Sequence, residues 1–186
     1  MGELKSAWEI AQERANRLGK LSAEEQEEQA RQRCRQIGQV LAQKWRDSPQ
    51  QLDIIAELNK HKAEDRDMIK QAVIERLVEA IEFTTAENPN EAKKIIAGIS
   101  SLGPELQSKA EELGNLIQEY EETERKIRQE LESDYRETLH RLRISGTAVA
   151  GINMEANPEW QLARQRLVEA FAPRLDDLKR KLTSPL

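Results

Sequence analysis

The chain has 186 residues and a formal net charge of −5, with 34% charged and only 4% aromatic side chains. Few aromatic residues exclude a thick globular core, but they suit narrow seams between paired helices, in which one stripe per helix is buried. The acidic balance argues against general attraction to nucleic acid or anionic lipid, and no apolar run approaches the length of a membrane span.

The first two predicted helices each begin at a serine that opens a capping box. Ser6 and Ser22 are both followed three residues later by a glutamate, so the two side chains can satisfy backbone N–H groups reciprocally. Gly19 is predicted to stop the first helix, and the second runs to about Arg46. Ser48, followed by a proline at a position where a missing N–H costs nothing, predicts a third helix start.

Residues 49–85 leave one question open. The stretch 59–67 has no apolar stripe, yet it contains no residue that breaks a helix outright, so the sequence allows one helix or two. From Met68 an apolar stripe at helical spacing resumes and ends near Thr85. A further short helix is predicted over residues 88–101, because an Asn-Pro pair supplies its cap and its first turn.

A helix of about forty residues is predicted next, from Pro104 to about Arg143, and it would span roughly 60 Å. Its apolar stripe follows heptad spacing over the first half and shifts after Leu131, as at a stutter in a coiled coil. Asn157 starts the last helix, in which Pro173 should kink the backbone or restart the helix. The long helix has an excess of acidic residues and the last one an excess of basic residues, which favours antiparallel pairing.

These elements predict an all-α fold, a helical bundle with a long antiparallel coiled-coil hairpin. An N-terminal region of short and medium helices, residues 1–100, precedes the hairpin, residues 104–183. An apolar connector, residues 144–157, joins the two helices of the hairpin. A long seam with a modest core gains stability from a second copy, so self-association is also expected.

The connector is the strongest functional signal in the sequence. It carries one acidic residue and no basic one, whereas connections in helical proteins are usually short and polar. An apolar segment of this kind buries itself against a partner or against its own helices. The first alternative predicts a protein-docking tip at residues 144–160, with four candidate contact residues: Val149, Ile152, Met154 and Trp160. The second packs the same side chains on Leu139 and Leu142.

Glu137 and His140 come closest to a metal site. Their spacing of three residues places both side chains on one face of the long helix. Di-metal carboxylate bundles use a Glu-x-x-His pair on each of two helices, but this chain has one such pair, and His61 lies in an unrelated charged stretch. A metal- or cofactor-binding role for Glu137 and His140 is therefore an alternative function.

The last predicted helix has a mildly basic face, which suggests a second alternative. Acidic residues are interspersed among its six basic ones, so the face is either simply solvated or a weak nucleic-acid binder. The basic residues are Arg164, Arg166, Arg174, Lys179, Arg180 and Lys181.

Cys34, the one cysteine, cannot form an internal disulfide. Its place on an apolar stripe predicts a buried thiol, although the neighbouring arginines would lower its pKa if it were exposed. The sequence contains no glycine-rich phosphate loop and no catalytic constellation. We therefore expect a non-enzymatic, cytoplasmic, adaptor- or scaffold-like interaction protein without a cofactor, which docks a protein partner through residues 144–160.

Overall fold

The computed structural model describes residues 22–83, 89–144 and 153–184, and these ranges are almost entirely helical. Within them lie α1 (Ala23–Asp47), α2 (Ile54–Leu58), α3 (Ala63–Glu79), α4 (Pro89–Ser101), α5 (Pro104–Arg141), a 3₁₀ turn (Met154–Ala156) and α6 (Pro158–Thr183). No strand occurs in the described ranges, and the predicted all-α fold is confirmed. The predicted first helix and its capping box at Ser6 lie outside the described residues.

Helix α1 begins at the predicted capping box. The Glu25 backbone N–H donates to Ser22 Oγ over 3.1 Å, and the Ser22 N–H donates to the Glu25 carboxylate over 2.7 Å. The two acidic residues of the first turn also complement the positive end of the helix dipole. This start is therefore specified by residues within four positions of one another.

The described part of the stretch 49–85, residues 49–83, contains two helices, and the predicted start at Ser48 is wrong. The Ser48 N–H donates to Lys44 O, so Ser48 ends α1 instead of opening a new helix. Helix α2 is capped by Asp53, whose carboxylate accepts from the Ala56 N–H over 3.0 Å. Helix α3 begins before Met68, at Ala63, and ends at Glu79, ahead of the predicted end near Thr85.

Helix α3 lies at the centre of the bundle, in contact with α1, α4 and α6. Its inward face is fully buried and joins one cluster of apolar side chains that extends from Cys34 to Leu182. Side chains from both predicted regions, 1–100 and 104–183, contribute to this cluster. None of the helices in the described ranges is both long enough and apolar enough to cross a membrane.

Helices α5 and α6 run antiparallel. Lys109 Nζ donates to Lys181 O over 2.8 Å near one end of the pair, and further along α5 the Glu119 carboxylate accepts two bonds from Arg174, at 2.8 and 2.9 Å. Helix α6 is continuous through Pro173, so the predicted restart does not occur. The buried side chains of Phe171 and Leu175 on either side anchor the backbone across the missing N–H. A coiled-coil supercoil for this pair stays a prediction.

Candidate interaction site at the end of the helical arm

Helix α5 extends well past the start of α6. The Arg128 guanidinium lies 5.6 Å from the centre of the Trp160 ring, which places the first turn of α6 beside residue 128 of α5. From there α5 continues to Arg141, a further length of about 20 Å at the rise of an α-helix. We call residues 129–144 the arm.

The arm ends in exposed apolar side chains. Leu142 is 64% exposed and Ile144 is 45% exposed. Leu131, Tyr135 and Leu139, on the same helix, are only partly buried. By contrast, five apolar side chains in the first half of α5 are fully buried in the core. Exposed apolar side chains at the end of a projecting element are typical of a protein interaction site.

The arm ends with a Schellman motif that has arginine in the glycine position. The Ile144 N–H donates to Leu139 O and the Arg143 N–H to His140 O, both over 3.0 Å. Arg143 has a φ of 57°, in the left-handed region, which costs an L-residue about 1–2 kcal/mol relative to glycine. The turn places Arg143 between Leu142 and Ile144, so a strained cation separates the two exposed apolar side chains.

The base of the arm is held by the start of α6. Asn157 Oδ1 accepts from the backbone N–H groups of Glu159 and Trp160, at 2.8 and 3.4 Å. Arg128 reaches the Glu155 carboxylate at 3.2 Å from the other side of the junction. The 3₁₀ turn and the first turn of α6 therefore pack together against α5, and we call this packed region the joint.

The predicted contact residues fall in two groups. Met154 and Trp160 are buried in this joint, 3% and 2% exposed, so their side chains are not accessible to a partner in this conformation. Val149 and Ile152 lie outside the described residues, and their predicted contact with a partner stays a prediction. The accessible apolar side chains at the end of the arm are Leu142 and Ile144. Leu142 was predicted only as a packing surface for the connector.

Two donors buried in the joint have no hydrogen-bond partner within the described part of the chain. They are Asn157 Nδ2 and the Trp160 indole N–H. An unsatisfied buried donor costs about 1–3 kcal/mol. The two atoms of the Asn157 amide group therefore differ: Oδ1 accepts two backbone hydrogen bonds, whereas Nδ2 is buried without a partner in the described residues.

A partly buried ion pair lies in the α5–α6 seam below the joint. Glu124 Oε1 lies 3.3 Å from Arg164 Nε, and both side chains are mostly buried. Burial raises the pKa of Glu124 despite the opposing effect of Arg164. Burial, aided by the Glu124 carboxylate, also raises the pKa of the Tyr120 hydroxyl one turn away. Tyr120 stacks on Phe83 at 4.4 Å, so the pair borders an aromatic part of the core.

The candidate metal residues lie on the exposed surface of the arm. Glu137 pairs with Arg141 at 2.6 Å, and His140 is exposed on the next turn. His61 lies in the connection between α2 and α3, where its carbonyl accepts from Arg66. Across the described ranges, no three His, Cys, Asp or Glu side chains group so as to hold a metal ion. A metal role for Glu137 and His140 stays a prediction.

Cys34 is buried as predicted, with 1% of its surface exposed. Its Sγ lies 3.6 Å from Asp65 Oδ1. Burial raises the pKa of the thiol, and the Asp65 carboxylate raises it further against the opposing charge of Arg33. The side chain is thus a protonated packing group, the opposite of an activated nucleophile.

Most of the basic face of α6 is engaged with carboxylates. Arg164 pairs with Glu124, Arg174 with Glu119, and both Arg180 and Lys181 with Asp177. Arg166 and Lys179 have no such pair among the described residues. This arrangement provides little free positive charge for phosphate contacts, and the nucleic-acid alternative stays a prediction.

One further surface was missed at the sequence level. A groove with a volume of about 660 Å³ runs between α1, α3 and the end of α6. It is lined by Arg31, Arg35, Met68 and Lys70, and Gln71 closes one side by donating to Thr183 O over 2.7 Å. No local pattern predicts it, because its walls come from three helices distant in sequence.

No curated protein and no solved structure matches this chain. A family model described as a family of unknown function, DUF6657, matches residues 55–184. The matched segment begins within α2, leaves out α1, contains the arm and the joint, and ends two residues before the end of the given sequence. It covers more than two thirds of the 186 residues, and the chain belongs to the DUF6657 family.

Proposed function

We propose that this protein is a non-enzymatic, adaptor- or scaffold-like helical protein that binds a protein partner through the end of its arm. The observation that carries the proposal is the exposure of Leu142 and Ile144, 64% and 45%, at the end of a helix that extends past its neighbour. Two apolar side chains exposed to water just past the end of a helix are stabilised by a partner that covers them.

The charges around the pair indicate what the partner offers. Arg143 stands between the two apolar side chains, and Arg141 lies one residue before Leu142. Both cations are at the carboxyl end of the helix, where the dipole favours positive charge. The complementary surface is an apolar pocket bordered by carboxylates, which would also steer the encounter.

The strain at Arg143 supports the same proposal. A glycine would make the Schellman turn at lower cost, yet an arginine occupies it with a φ of 57°. A side chain kept in a costly backbone conformation is common at binding sites, where the strain is offset elsewhere. In this proposal the Arg143 guanidinium contacts the partner, and Val149 and Ile152 extend the contact surface. We expect the protein to act in the cytoplasm, where its single cysteine stays reduced.

Site-specific photo-crosslinking in cells tests the proposal. A photoreactive amino acid at Leu142 should yield a discrete crosslinked protein, while the same group at Gln165, an exposed residue on α6, should not. The Leu142 product should disappear when Ile144→Glu is added, because a carboxylate cannot enter the apolar pocket. Equal crosslinking from the two positions, or a product insensitive to Ile144→Glu, would show that the arm end is not a specific docking site.

A further inference from the structure

The charged residues of the arm are ordered so that the arm complements itself when reversed. The first third carries Glu130, Glu132 and Asp134, and the last third carries Arg141 and Arg143. In the middle, Arg136 and Glu137 are adjacent and opposite in sign. An antiparallel second arm therefore brings its basic end beside the acidic end of the first. A two-fold contact between identical segments requires this relationship, since each patch must fit its own copy.

An apolar row accompanies the charges on one face. Leu131, Tyr135, Leu139 and Leu142 follow one another at spacings of three and four residues, which keeps them on one side of the helix. All four are at least partly exposed, and Leu142 most of all. The row is also nearly symmetrical about residue 137, with a leucine near each end.

We propose that the arm pairs in antiparallel orientation with the arm of a second copy of this chain, about a two-fold axis near residue 137. This inference rests on the proposed function, and it names the partner of the same arm. Leu131 then lies opposite Leu142 of the second copy, and Tyr135 lies opposite its Leu139. The four side chains share one face of the helix, as the contact between two antiparallel helices requires.

The charged residues on either side of the apolar row favour the antiparallel orientation. On one side Glu132 comes near Arg143 of the second copy, and on the other Asp134 comes near its Arg141. Each contact occurs twice because of the symmetry. The pairs within one arm, Arg136 with Glu132 and Arg141 with Glu137, both at 2.6 Å, hold the side chains along the helix surface. A parallel pair would instead align acid with acid and base with base, which is repulsive.

Two variants of the 186-residue chain, each with one charge reversed, test the pairing when they are measured separately and then mixed. By sedimentation equilibrium the unmodified protein should form a dimer. Asp134→Arg alone and Arg141→Glu alone should each weaken the dimer about tenfold, because each change creates two like-charge contacts. An equimolar mixture of the two variants should restore association as a heterodimer. Both substituted side chains are exposed, so the variants should remain folded, which circular dichroism would check.

Cysteine crosslinking provides a second measurement that does not depend on charge. Thr138 lies on the apolar side of the arm close to the proposed axis, and Ser133 lies on the opposite side; both are exposed. Thr138→Cys should form an intermolecular disulfide on mild oxidation, whereas Ser133→Cys should not. Cys34 is buried and does not compete.

The outcomes separate this inference from the proposed function. A chain that remains monomeric at its highest soluble concentration overturns the inference, as does a dimer whose charge variants fail to recover on mixing. In either case the crosslinking from Leu142 would still report a different protein partner. In a protein that dimerises through Thr138→Cys, a Leu142 crosslink that contains only a second copy of this chain would instead support the inference and remove the docking of a separate partner.

Discussion

Gly38 of α1 lies directly against Ala72 of α3. A Cβ placed on Gly38 would be 2.5 Å from the Ala72 Cβ and 2.8 Å from the Ile69 carbonyl oxygen, closer than real Cβ contacts allow. The two backbones approach this closely because one of them has no side chain at the crossing. The packing of α1 on the central helix therefore depends on a single absent methyl group.

Gly38→Ala should destabilise the protein. Overpacking at a rigid crossing costs about 1–3 kcal/mol, which exceeds the gain in helix propensity of at most about 1 kcal/mol. Urea unfolding followed by circular dichroism measures the difference. Gly114→Ala is the matched control, because its Cβ would meet Ile96 Cδ1 at an ordinary 3.7 Å. That change should stabilise the protein by about 0.5–1 kcal/mol. A Gly38→Ala variant as stable as Gly114→Ala would contradict the close crossing.

Glu124→Gln should stabilise the protein at neutral pH. Burial raises the pKa of Glu124 in the folded state, so folding favours the protonated side chain and stability falls as pH rises through the raised pKa. Glutamine mimics the protonated form and removes this loss. The gain should vanish in acid, below the ordinary glutamate pKa, where the wild-type side chain is also neutral. Unfolding free energies measured across pH 3 to about 8 test the trend.

Glu119→Gln, on the same helix, should change stability in the opposite direction. The hydrogen bonds from Arg174 lower the pKa of this exposed carboxyl, so its contribution is present above the ordinary pKa and lost as pH falls through the lowered one. The variant should therefore be slightly less stable at neutral pH, with the difference disappearing in acid. If both variants were less stable than the unmodified protein at neutral pH, burial would not be the dominant effect on the pKa of Glu124.

Arg143→Gly should stabilise the end of the arm by about 1 kcal/mol, because glycine adopts the left-handed conformation without strain. Arg143→Ala should leave stability nearly unchanged, since alanine carries the same Cβ. Thermal unfolding at low protein concentration separates this effect from association. Under the inferred pairing, both variants should also weaken the dimer, because each removes the cation near Glu132. Equal stability of the glycine and alanine variants would argue against a left-handed backbone conformation at Arg143.

The Cys34 thiol should resist modification while the protein is folded. Burial excludes the reagent, and the raised pKa lowers the thiolate fraction. A thiol-reactive chromogenic disulfide should react only at the rate at which the bundle opens, and within seconds in denaturant. Fast reaction in native buffer would contradict the burial of this side chain.

Two starts, at Ser22 and Asn157, could be predicted from the sequence because helix capping depends on residues within about four positions of the cap. The start at Ser48 was predicted incorrectly by the same reasoning. A serine before a proline satisfies the pattern of a helix start, but the Ser48 N–H already belongs to the last turn of α1. Local chemistry allows both arrangements, and the packing of α1 along α3 decides between them.

The residue pattern alone predicts the helical content, the long helix and the acid–base balance that favours antiparallel pairing. Which apolar residues near the end of the hairpin are accessible depends on how the helices pack. Trp160 is buried and Leu142 exposed because α6 begins beside Arg128, which leaves the last turns of α5 without that helix as a neighbour. The burial of a side chain depends on where a segment distant in sequence packs. The hydrophobic pattern of one helix does not predict the residue beside which its neighbouring helix begins.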